Sequence, residues 1–131
     1  MRTLKFLAII VVAALMTSCA STVNFPVSQE APGAEITAKI KKQGETNYFI
    51  TITANNLADS KRLNPPKNFY VIWAVSSTGV TRNVGYFIQE NAVKSTYKAS
   101  FPYRPVEIFI TAEDVEAVYV PSGIEITRVK L

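Results

Sequence analysis

The chain has 131 residues, 48% apolar, 18% charged and 11% aromatic, with 14 Lys and Arg against 10 Asp and Glu, no His and a single Cys. That is material for one domain, able to bury roughly two thirds of its unfolded surface without disulfides or a metal. Without His the commonest general base and every Ser-His or Cys-His nucleophile pair are excluded, and a lone Cys closes no internal disulfide.

The first residues read as a targeting segment. Arg2 and Lys5 form a positive start, residues 6–16 (FLAIIVVAALM) an uncharged apolar run, and Thr17-Ser18-Cys19 a small-residue cleavage context. A membrane span needs about twenty apolar residues, so this run predicts a secretory signal over 1–18 and no permanent span. Met16-Thr17-Ser18-Cys19 resembles the bacterial lipobox. The resemblance implies cleavage before Cys19, acylation of that residue (the palmitate-carrying terminus of a lipoprotein) and permanent attachment to a membrane. Ala20 stands where Asp would suggest inner-membrane retention, so the outer membrane is the expected location. Cleavage takes away Arg2 and Lys5, so 14 basic side chains fall to 12 against 10 acidic ones and the net charge to +2. A nearly neutral exported domain is not a nucleic-acid binder. Lys39, Lys41 and Lys42 form the one basic cluster and read as the charged edge of a sheet.

Residues 19–33 (CASTVNFPVSQEAPG) carry Ser, Pro and Gln with no sustained alternation, which predicts a flexible tether ahead of a domain over 34–131. From residue 34 the hydrophobic period is two. Ile36, Ala38 and Ile40 alternate with Thr37, Lys39 and Lys41, and Tyr48, Ile50 and Ile52 with Phe49, Thr51 and Thr53. The polar 42–46 segment turns one run back on the other. Residues 55–68, with Pro65-Pro66, predict a crossing between sheets. Residues 69–75 (FYVIWAV) predict a central strand, followed by strands at 80–88, 95–101, 106–113, 117–120 and 124–129. About seven to eight short strands without a helix predict an all-β antiparallel sandwich.

Tyr70 and Trp73 in the run 68–75, Gly79, then 83–87 (NVGYF), together resemble the extracytoplasmic domain of anti-sigma-K factors, as do 108–113 (IFITAE) and Pro121-Ser122-Gly123. The resemblance spans roughly residues 48–130 and implies an immunoglobulin-like sandwich outside a membrane. It does not carry sigma-factor binding, because the family binds with a separate cytoplasmic domain, and it supplies no catalytic residue.

Alternation does not choose the inner face of 69–75. If Phe69, Val71, Trp73 and Val75 face the core, then Tyr70, Ile72 and Ala74 form an outward apolar stripe, a candidate partner contact unless a loop covers it. Glu113, Asp114 and Glu116, with Glu107 along the same strand, are the only acidic concentration. They read as solvated turn charges or a second candidate contact, and no Asp-x-Asp-x-Gly loop marks a metal site. Lys94-Ser95 and Lys98 with Ser100 lack anything to activate a nucleophile and read as surface positions. The expectation is a non-catalytic binding, sensing or accessory module for another envelope protein, with no cofactor. The competing reading is a small hydrolase on the acidic cluster, or a carbohydrate-binding module on Tyr86, Phe87, Tyr97, Phe101 and Tyr103.

Overall fold

The computed structural model describes residues 20–131. The signal segment, the lipobox and Cys19 lie outside the described residues. Alternating apolar residues build nine strands: β1 (Ala20–Asn24), β2 (Glu35–Gln43), β3 (Asn47–Asn55), β4 (Phe69–Val75), β5 (Thr81–Tyr86), β6 (Ile88–Gln89), β7 (Lys94–Phe101), β8 (Glu107–Glu113) and β9 (Ile124–Lys130), with one 3-10 turn at Ser60–Arg62. They form two antiparallel sheets, one of five strands in the order β1-β2-β3-β7-β6 and one of four in the order β5-β4-β8-β9. The fold is an all-β sandwich, as the alternation predicts, with one strand more than expected.

The core between the sheets follows from period two. Ile36, Ala38 and Ile40 on β2 and Ile50, Ile52 and Ala54 on β3 point inward, against Tyr70, Ile72 and Ala74 on β4 and Ile108, Ile110 and Ala112 on β8. The stripe Tyr70, Ile72 and Ala74 is therefore no outward contact surface. The Tyr70 hydroxyl donates to the Ala58 carbonyl at 2.6 Å. Burial, and next the charge of Asp59, push its pKa up to about 12, which keeps it a donor.

Three segments depart from the sequence reading. Residues 20–24 are not tether but an edge strand, with Ala20 opposite Lys41 and Asn24 opposite Thr37. Phe25, Ser28 and Ala31 beyond it are buried, so the ordered domain includes most of the expected tether. Consequently β2 lies inside its sheet and its lysines protect no edge. The expected strand 80–88 is two strands that change sheets at Phe87. A bulge opposite Ile72 and Trp73 precedes the change. There Gly85 has φ +132°, and a Cβ would stand 2.9 Å from the Tyr97 ring. Residues 117–120 form no strand and belong to a connection that builds the site.

Candidate functional site

The four-stranded sheet is apolar on its outer face too. Val71 and Trp73 from β4 and Phe109 from β8 are buried there, joined by the partly buried Phe69, Val75 and Val118. An apolar sheet face must be covered. The cover is the connection 114–123, a strap that leaves β8, crosses the face and returns to β9. Val118 is its apolar plug. The Arg128 guanidinium, 4.0 Å over the Phe109 ring and 3.0 Å from Glu107, closes the other flank.

The strap is fastened at three places. At its start, Lys67 pairs with Asp114 at 3.4 Å and the Asn68 side-chain amide donates to the Asp114 carbonyl at 3.0 Å. At its tip, Asn83 of β5 donates to the carbonyls of Glu116 at 2.8 Å and Val118 at 2.9 Å. At its end, the Ser122 and Gly123 amides each donate to Glu113 Oε1 at 3.0 Å, and the Ser122 hydroxyl donates to Oε2 at 3.0 Å. Gly123 is obligatory there: a Cβ would fall 1.7 Å from the Ala112 carbonyl oxygen.

Glu113 is thus the latch. It is 2% exposed. Beyond the strap amides it accepts the Thr111 hydroxyl at 2.8 Å, and Thr111 in turn accepts the Trp73 Nε1–H at 2.8 Å. One chain of hydrogen bonds runs from the buried indole to the end of the strap. Burial alone would raise the carboxyl pKa. Hydrogen bonds from Gly123, Thr111 and Ser122 outweigh it and hold the group below the usual carboxylate range. The folded state therefore prefers the ionised form. Its contribution to stability is full above the unfolded pKa of about 4.3 and is lost as pH falls through the lower folded value. Thermal unfolding from pH 7 to 3 should show this loss below about pH 4.3, and Glu113→Gln should reduce that acid slope.

What the fastened strap presents is apolar and exposed. Tyr119 is 93% exposed, Val120 68% and Val115 56%. Beside them a groove of about 560 Å³ runs between strap and β5, lined by Val80, Arg82, Tyr86, Glu116 and Tyr119 among others. Of the acidic residues that stand out in the sequence, Asp114 and Glu116 are exposed on the strap, as expected, while Glu113 is internal. Its carboxylate oxygens accept four hydrogen bonds from within the fold. The five aromatic residues considered for sugar binding do not share an exposed face: Tyr97 and Phe101 are buried, and Phe87 and Tyr103 are half-buried. Lys98 and Ser100 do share a face, opposite Thr51 and Phe49. No group of three or more His, Cys, Asp or Glu among the described residues is placed to hold a metal. Tyr119 and Val120, the most exposed apolar residues of the strap, read from sequence as part of a strand; the Pro121-Ser122-Gly123 turn directly after them was the available sign of a loop. No protein-family model, curated protein or solved structure matches the chain.

Proposed function

We propose that the protein is a non-catalytic binding module of a bacterial cell envelope, anchored by acyl chains on Cys19, that engages another envelope protein through the strap and the groove beside it. The observation that carries this reading is the strap itself: Tyr119 and Val120 are held out in solvent by a segment hydrogen-bonded at both ends and at its tip. Aromatic anchors on preorganised segments bind with little ordering entropy, and Tyr is enriched among residues that dominate interface energetics. Asp114 and Glu116 rim the patch, which keeps the sequence-based acidic contact in a modified form without Glu113. The lipobox supports the anchor, and Ala20 in place of Asp after Cys19 supports an outer-membrane location. The resemblance to an anti-sigma-K extracytoplasmic domain agrees with a sensing or accessory role and adds no chemistry.

The test uses the full chain in its native envelope. A photoreactive residue at Tyr119 should give a discrete adduct with one envelope protein, and the same residue at exposed Gln29 should not. Tyr119→Ala should weaken binding of the partner so identified by about 30-fold, the size of a 2 kcal/mol contact. Cys19→Ser should leave the protein unprocessed or release it from the membrane fraction. Equal adducts at Tyr119 and Gln29, or unchanged affinity in Tyr119→Ala, would refute the assignment of the surface.

A further inference from the structure

The opposite side of the sandwich has a different chemistry. On the outer face of the five-stranded sheet, register sets Lys39, Thr51 and Lys98 in one cross-strand row and Lys41, Phe49 and Ser100 in the next. Neighbouring strands lie about 4.8 Å apart, so the three lysines fall within roughly 12 Å of one another across a single pleated surface. None of them has a carboxylate partner among the described residues, whose ion pairs all lie elsewhere. Lys42 and Arg104 flank a cleft of about 290 Å³ with Ile40 and Tyr48, on the inward side of β2 and β3, and do not belong to this face. The carboxylates nearby are Glu90, which accepts the Thr96 hydroxyl at 2.8 Å, pairs with Lys94 and lines a pocket with Lys98; Glu45, in the β2–β3 turn; and Glu35, at the far end of β2 opposite Asn55. Because β2 is an interior strand, these cations are not there to keep an edge from pairing.

We propose that this face lies against an anionic lipid surface. The inference rests on the proposed acylation of Cys19, and the fold then supplies the geometry. Pairing with β2 begins at Ala20, the residue after Cys19, and Ala20 sits directly opposite Lys41. The sheet thus starts one residue from the anchor, and the lysine rows start beside the point of attachment. Cations near an anionic bilayer add about fivefold each to partitioning, and the half-buried Phe49 between Lys41 and Ser100 provides a ring for the headgroup region. The same placement turns the other sheet, with Tyr119 and Val120, away from the bilayer toward a partner.

The experiment uses the full acylated chain in vesicles of phosphatidylcholine alone or with one third phosphatidylglycerol. Thr51→Cys, labelled with a thiol-reactive fluorophore, reports the lysine face, and Val120→Cys labelled alike reports the strap; acrylamide serves as neutral aqueous quencher. Quenching at position 51 should fall severalfold in the phosphatidylglycerol vesicles and recover in high salt, while position 120 stays accessible in both. Combining Lys39→Gln, Lys41→Gln and Lys98→Gln should abolish the shielding without releasing the protein. Flotation with both vesicles and equal quenching at position 51 in each would overturn the docked face and leave the anchor standing. Failure to float with either would overturn anchor and docking together.

Discussion

Trp73→Ala should destabilise the protein by about 3 to 5 kcal/mol and lower its melting temperature by on the order of 15 °C. Trp73 has no solvent exposure, and its ring stacks on Phe109 with centroids 5.9 Å apart and planes at 10°. Among the described residues the buried members of the outer cluster are Val71, Trp73 and Phe109, so the truncation removes its largest part. The indole is also the donor to Thr111, and its loss leaves the buried Thr111 Oγ1 without that donor, bonded to Glu113 alone. Trp73→Phe retains much of the volume but not the N–H, and should cost less, about 1 to 2 kcal/mol. Thermal denaturation of the three proteins checks the order. Since Trp73 is the only Trp, its emission in the wild type should also be that of an indole out of water.

Glu113→Ala should cost about 2 to 4 kcal/mol and, unlike a core truncation, act on the strap first. The carboxylate accepts four hydrogen bonds, three of them from Ser122 and Gly123. Without it those donors turn to water, and the strap stays held by Asn83, the Asp114 contacts and the packing of Val118. Limited proteolysis should then cut within 114–123 well before the sandwich unfolds, whereas the wild type resists cleavage there. Binding through Tyr119 should weaken as well, because a loosened strap must be ordered again on association.

Where one face of a strand meets solvent, the sequence is legible. The pattern of Ile36, Ala38, Ile40, Ile50 and Ile52 names core residues and pairs β2 with β3, and the Pro-containing 55–68 segment reads as the sheet crossing that it is. Alternation fails on β4, where Phe69, Val71, Trp73 and Val75 are as apolar as the residues between them. Both faces are covered, one by the opposite sheet and one by a strap of ten residues, and no local pattern separates these two kinds of cover. Glu113 misleads for a related reason. It opens a Glu-Asp-x-Glu run that looks solvated, yet its burial is set by Ser122 and Gly123, nine and ten residues on, folding back as donors. Strand β1 is short, carries no alternating apolar face, and is recruited by pairing with β2 across an irregular link. In each case the deciding partner is distant in sequence.

The latched strap is the feature on which stability, acid response and the proposed partner binding all converge, and amide hydrogen exchange tests it most directly. In the full chain near neutral pH, the Ser122 and Gly123 amides should exchange slowly, with protection approaching that of the β8 ladder, and Glu113→Ala should remove that protection while leaving β2 and β3 unchanged. Wild-type Ser122 and Gly123 amides exchanging as fast as those of an open loop would contradict the account.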